Sequence, residues 1–195
     1  MKGLSDVPRV VLFSGHMIDS PDRAAPRFPA RKEPDVRSAI RVVLDDWNVG
    51  QGDICICGGA RGGDILFAEH CLDLGADVRL FMPLAKEPFL EASVRLPAAH
   101  DACWEDRFNR ILDRGTAYWP PQVPTGAARN NPFSENNARM MDHAITAAKG
   151  GPIHALLLWD GQAGDGKGGT ADVAARVQEI AEDWTIINPA KLPSG

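Results

Sequence analysis

Three places in the chain put chemistry-bearing residues where an apolar run gives way to glycine. The first is Gly58-Gly59-Ala60-Arg61-Gly62-Gly63-Asp64, between the run DICIC at 53–57 and the residues Ile65, Phe67, Ala68, Cys71 and Leu72. That apolar set has helical spacing, so the glycines join a strand to a helix. Glycines carry no Cβ and let backbone N–H groups approach an anion closely. A helix start adds partial positive charge and unpaired donors. Arg61 could add a bidentate phosphate contact. A tight strand-to-helix turn without a ligand would use the same residue types, but four glycines exceed what a turn requires. The loop lacks the Gly-Lys-Ser/Thr of a Walker A motif and the GxGxxG spacing of a dinucleotide fingerprint.

The second place runs from Trp159 and Asp160 through Gly164 and Lys167 to Gly168, Gly169 and Thr170. It also leaves an apolar run and enters a helical pattern. Thr170 could cap the helix or donate to phosphate, Asp160 could accept from a sugar, and Lys167 could meet a phosphate or be solvated. The third place is Ser14-Gly15-His16, followed by Asp19 and Arg23. A histidine just past a strand suits phosphate contact or proton transfer, or it is satisfied by backbone partners. Arg27 belongs to a positive bias in the first forty residues, either an anion-receiving rim or a solvated surface.

Asp64 and Glu69 are the candidate catalytic carboxylates. Glu69 lies more than one helical turn past the loop and is either turned to a ribose or simply on the helix surface. Asn136, Asn137 and Arg139 fall near a helix start and could reach a base or phosphate; capping explains the asparagines as well. Trp159, Phe28 and Tyr118 are candidate stacking groups, with core packing the alternative for Trp159.

Other chemistries find no support. There is no GxSxG elbow for a serine hydrolase. The five histidines show no HExxH or other metal spacing, so neither a metal nor a resident cofactor is expected. Cys55, Cys57, Cys71 and Cys103 form no CxxC or regular framework and read as reduced and mostly buried. The net charge of -5 argues against a general nucleic-acid binder. No apolar run spans a membrane and no secretory pattern opens the chain, so a cytoplasmic location is the expectation.

The elements that must position these residues alternate. Strands are expected at 9–13, 53–57, 77–82, 116–119, 153–159 and 184–188. Helices are expected after Pro34, over 65–72 with Gly75 as C-terminal cap, within 86–113, over 134–149 with Ser134 as N-cap, and over 171–182. Residues 120–133 read as a long loop. Alternation implies right-handed βαβ units, hence one Rossmann-like three-layer α/β/α domain over 1–195 with a mostly parallel sheet. Ligands then sit beyond the carboxyl ends of the strands, where all three glycine segments fall.

Ser14-Gly15, Gly58-Gly59-Ala60 through Asp64 with Glu69, and Gly168-Gly169-Thr170 together resemble the SLOG superfamily of Rossmann-like nucleotide-binding domains. That group includes the LOG-type phosphoribohydrolases and the DNA-processing protein A domain. With His16, Asp19, Arg27-Phe28-Pro29 and Trp159, the pattern is most similar to SLOG-type domains of bacterial signalling or conflict proteins. The resemblance implies a sensor for a nucleotide-type small molecule, a homodimer, and a fused or neighbouring effector. The phosphoribohydrolase motif Pro-Gly-Gly-x-Gly-Thr with a following glutamate is not matched: Gly168 lacks the preceding Pro-Gly-Gly, and Asp172 is only a loose counterpart of the glutamate. Ligand binding is therefore favoured over N-glycosidic hydrolysis by Glu69 or Asp64. A nucleic-acid-binding module is the third and smallest possibility.

Overall fold

The computed structural model describes residues 7–97, 103–121, 131–162 and 168–193. Six strands, β1 (Val10–Gly15), β2 (Ile54–Cys57), β3 (Asp77–Phe81), β4 (Thr116–Tyr118), β5 (Ile153–Leu158) and β6 (Asp183–Ile187), form one sheet in the order β4-β3-β2-β1-β5-β6. All five pairings are parallel. The helices are α1 (Glu33–Asp46), α2 (Gly63–Asp73), α3 (Lys86–Phe89), α4 (Trp104–Arg114), α5 (Pro132–Ala148) and α6 (Thr170–Ile180). A π-helical turn, Leu90–Val94, extends α3.

The strands read as nearly unbroken apolar runs because both faces are covered. Alternation along each strand sorts side chains between two cores. Val11, Phe13, Cys55, Cys57, Leu80 and Leu158 pack with α1, α2 and α4. Val10, Leu12, Ile56, Ala155 and Leu157 pack with α5 and α6. The result is the three-layer α/β/α arrangement expected. Phe13 and Phe67 stack at 4.7 Å and tie α2 to the sheet.

Two local details differ from the sequence-based expectation. β1 continues through Ser14 and Gly15, because β5 pairs with it up to Leu158. Ser134 is not the N-cap of α5: Asn131 Oδ1 accepts from the N–H groups of Phe133 and Ser134, and Pro132 occupies the first turn. The segment expected to hold at least one helix carries α3, the π turn and α4. Among the described residues no helix is long and apolar enough to cross a membrane.

The strand order sets the site. The chain winds from β1 through β2 and β3 to β4 in one direction, then crosses back to place β5 and β6 on the other side of β1. The loops after β1 and β5 therefore diverge at their carboxyl ends. That is the switch point where open α/β sheets form a crevice.

Candidate functional site

A cavity of about 320 Å³ opens at that switch point. This lies within the range of about 300–1,000 Å³ common for small-ligand sites. Of the residues singled out from the sequence, Ser14, Gly15, His16, Arg27, Gly58, Ala60, Arg61, Asp64, Asn137, Trp159, Gly168, Gly169 and Thr170 line it. Gly59, Gly62, Gly63, Asp160 and Glu69 do not. Lys167 and Gly164 lie outside the described residues.

The loop at 58–64 is not the open anion cradle that its glycines suggested. Three of its N–H groups already have acceptors. Ala60 donates to Asp64 Oδ2 at 3.1 Å, Arg61 to Ser93 O at 2.9 Å and Gly63 to His16 O at 3.2 Å. The glycines answer to packing instead. A Cβ on Gly58 would meet Asp64 Oδ2 at 2.8 Å, one on Gly63 would meet Leu158 at 3.0 Å, and one on Gly62 would meet Ile18 N at 2.5 Å. Arg61 is a strut: its Nε and Nη1 donate to Ile18 O and Arg95 O.

The start of α6 is different. Gly169 precedes it without a side-chain cap, and Thr170 is its first residue. Asp172 N–H turns back to Gly169 O, while the Asp172 carboxylate accepts from Gly168 N–H and Ser134 Oγ. The N–H groups of Thr170 and Ala171 find no acceptor among the described residues, and both residues line the cavity. They are first-turn donors at the positive end of an 11-residue helix. Asn137 Nδ2 holds the preceding loop in place through Gly168 O at 3.0 Å.

Across the crevice, His16 and Asp160 join the β1 and β5 loops. Asp160 N stands 3.1 Å from His16 Nε2. Asp160 Oδ1 lies 3.1 Å from the same nitrogen. Burial pulls the His16 pKa below its ordinary value, and the Asp160 carboxylate only partly opposes this. Burial raises Asp160, but the Gln162 N–H, His16 and Arg27 outweigh it and hold the carboxyl below its usual range. Arg27 Nε stands 3.6 Å from Asp160 Oδ2. Asp160 is thus a support behind His16 and Arg27 rather than a wall of the cavity.

Asp19 does for the β1 loop what Asp160 does for the β5 loop. Its Oδ2 accepts from the N–H groups of Arg27 and Phe28, and its own N–H donates to Phe28 O. This turn swings Arg23 and Arg27 to the cavity rim. Phe28 itself is fully buried in the core and has no face left for a ligand. Tyr118 stacks on Phe81 at 4.5 Å, away from the cavity. Trp159 lines the cavity, with its Nε1 donating to Gln162 O. Arg139 spends its guanidinium on Trp119 O and Asn136 Oδ1.

Asp64 is the carboxylate the structure places here. It is 9% exposed, and burial pushes its pKa up to about 7 against the single backbone bond from Ala60. Glu69 is elsewhere. Its carboxylate takes two bonds from Arg107, at 2.8 and 2.7 Å, and one from Arg37 at 2.8 Å. Burial raises its pKa, but these guanidinium partners hold it below the ordinary value. Its work is to bind α1, α2 and α4 together. We expect Glu69→Gln to lower stability by about 1–3 kcal/mol, because it leaves Arg107 short of a charged partner. Chemical denaturation measures that loss, and ligand affinity should not change; a variant with unaltered stability and lost binding would contradict this assignment.

Phe133, Met140, Phe89 and Ser93 also line the cavity and were not picked out in advance. Phe133, Asn136, Asn137 and Met140 present one face of α5 to the cavity, and Phe89 and Ser93 approach from the turn after β3. The i, i+3, i+4, i+7 spacing on α5 was a readable signal for a shared face, though not for which face. No group of three or more histidine, cysteine, aspartate or glutamate residues among those described could hold a metal ion.

The fold and cavity define a parallel, Rossmann-like α/β protein with a ligand-sized pocket at its switch point. No family model and no curated protein matches the chain. Among solved structures it is similar to DNA processing protein A from Streptococcus pneumoniae, at 12% identity and a TM-score of 0.37, over 96% of this chain and 62% of that one. It is also similar to the Moco carrier protein from Chlamydomonas reinhardtii, at 12% identity and a TM-score of 0.32, over 94% and 91% of the two chains. This chain thus spans less than two thirds of the DNA processing protein. At these scores neither likeness bears on function.

Proposed function

We propose that this chain binds a nucleotide or nucleotide-derived phosphate ligand in the switch-point cavity, as a ligand-sensing domain. One observation carries the proposal: Thr170 and Ala171, whose N–H groups have no acceptor among the described residues, line the same cavity as Arg23 and Arg27. Helix-end donors and guanidinium groups together suit a phosphate. The cavity also holds Phe89, Phe133, Met140 and Trp159, an apolar wall for a base. The phosphate goes to Gly168–Ala171, and the 58–64 loop shapes the floor instead of cradling the anion.

A thermal-shift panel compares nucleoside 5′-monophosphates with the matching nucleosides, alongside mass spectrometry of ligands that copurify. Stabilisation by the phosphates and not by the nucleosides is the expected result. Equal silence from both, with no copurifying nucleotide, would reject the proposal.

A second reading, N-glycosidic hydrolysis, is favoured by one observation. A buried carboxyl with a pKa of about 7 faces the cavity, the range in which an acid–base catalyst works best. In this reading Asp64 protonates the departing base. Release of free base from nucleoside monophosphates, abolished in Asp64→Asn, would support it. Binding without release would leave the sensor role alone.

A further inference from the structure

Asp64 is a buried acid on the cavity wall, and its two oxygens differ. Oδ2 accepts from Ala60 N–H at 3.1 Å and sits 2.8 Å from where a Cβ on Gly58 would be, so that oxygen is fixed. Oδ1 takes no hydrogen bond from any described residue. It is not counted among the sealed, unsatisfied polar atoms of the core, which are Arg9 Nε and His154 Nδ1, and the residue lines the cavity. Asp64 thus turns its unbonded oxygen to the cavity.

Building on the nucleotide reading above, we propose that Asp64 acts as a carboxylic acid that donates a hydrogen bond from Oδ1 to the ligand. The cavity then selects a ligand that presents a carbonyl oxygen or an unprotonated ring nitrogen at that point. The acid form follows from the surroundings. No cation forms an ion pair with Asp64 among the described residues. On β2, burial keeps the Cys57 thiol protonated, and its Sγ faces Asp64 O at 3.8 Å. In the loop, Arg61 donates to Ile18 O and Arg95 O rather than to the carboxyl. On the β1 loop, burial lowers the His16 pKa, and Asp19 is bound to the backbone of Arg27 and Phe28. From α5, Asn136 is uncharged and donates to Phe81 O. The remaining charges on the cavity are Arg23 and Arg27 at its rim. A carboxylate at this depth would go unpaired, which burial penalises heavily, so below about pH 7 the acid form prevails and the oxygen that faces the ligand can carry the proton.

Asp64→Asn tests this closely, because the amide copies the acid. Its oxygen can accept from Ala60 N–H, its Nδ2 can donate to the ligand, and it does not titrate. The probes are the 5′-monophosphates of adenosine, guanosine, cytidine and uridine, each of which carries base acceptors. Affinities are measured by calorimetric titration between about pH 5.5 and about pH 8.5, for wild type, Asp64→Asn and Asp64→Ala. The ratio of Asn variant to wild type cancels the ionisation of the phosphate and of His16. That ratio should be near unity at about pH 5.5 and rise to about 30-fold at about pH 8.5, since only about 3% of Asp64 remains protonated there when its pKa is about 7. Asp64→Ala, which can neither accept nor donate, should bind about tenfold more weakly than wild type at the acid end. A pH-independent ratio, or an Asn variant that binds worse as pH rises, would overturn the inference while leaving nucleotide binding intact. Failure of all four probes to bind wild type would remove the nucleotide reading and this inference together.

Discussion

Unfolding of the ligand-free protein should become easier between about pH 4 and about pH 7 because of Asp64 alone. Its folded pKa, about 7, stands above the ordinary 3.8. In that window the folded state keeps a proton that the unfolded state has lost, so stability falls as pH rises. Below the unfolded value both states are protonated and the difference vanishes. Above the folded value the full penalty of a buried carboxylate is present and constant. Three pH units correspond to about 4 kcal/mol. Other groups titrate in the same range, so the useful quantity is the difference between wild type and Asp64→Asn. Denaturation by urea from about pH 4 to about pH 8 should show the Asn variant gaining on wild type by about 4 kcal/mol across the window. A difference that stays flat would mean that Asp64 ionises normally.

The second large effect is expected at Gly62. Its φ of 90° and ψ of -123° lie where residues with a Cβ are strained. The strain adds to a collision, because an added Cβ would stand 2.5 Å from Ile18 N and 3.1 Å from Met17 C. These are backbone atoms and cannot swing aside. Gly62 also forms an antiparallel bridge with Met17, and Ile18 N–H donates to Arg61 O beside it. The clamp fixes the loop carrying His16 to the loop carrying Asp64. Gly62→Ala should cost about 3 kcal/mol or more, and should lose ligand binding along with it. Gly75 is the matched control: its φ is 80°, but nothing lies within 4 Å of an added Cβ. Gly75→Ala should cost only about 1 kcal/mol, with binding unaffected. Equal losses at the two positions would show that φ, and not the clamp, sets the cost.

The comparison of these two glycines shows where sequence reasoning stopped. Six strands and their helices were legible because buried parallel strands are continuous apolar runs punctuated by glycine and proline. The boundary of α5 was readable in principle, since Asn131 before Pro132 is a cap followed by a first-turn proline. The state of the 58–64 loop was not. Its acceptors, His16 O and Ser93 O, come from other loops, so an open cradle and a packed one have the same local sequence. Glu69 failed for a similar reason. Its partners, Arg37 and Arg107, are 32 and 38 residues away, and only the packing of α1 and α4 on α2 brings them to it. Asp64 was named as a carboxylate, but its elevated pKa depends on burial that no spacing reveals. The α6 start was legible as a glycine-led helix opening, and the structure adds that Asp172 turns back to Gly168 while the N–H groups of Thr170 and Ala171 find no acceptor among the described residues.

The central claim is that phosphate meets the start of α6 and not the more glycine-rich loop before α2. An amide-resolved NMR titration with adenosine 5′-monophosphate separates the two. The N–H signals of Thr170 and Ala171 should move most, with those of Ala60, Arg61 and Gly63 following weakly, since their N–H groups already have acceptors. Large shifts at Ala60, Arg61 and Gly63 with Thr170 and Ala171 unmoved would contradict the account.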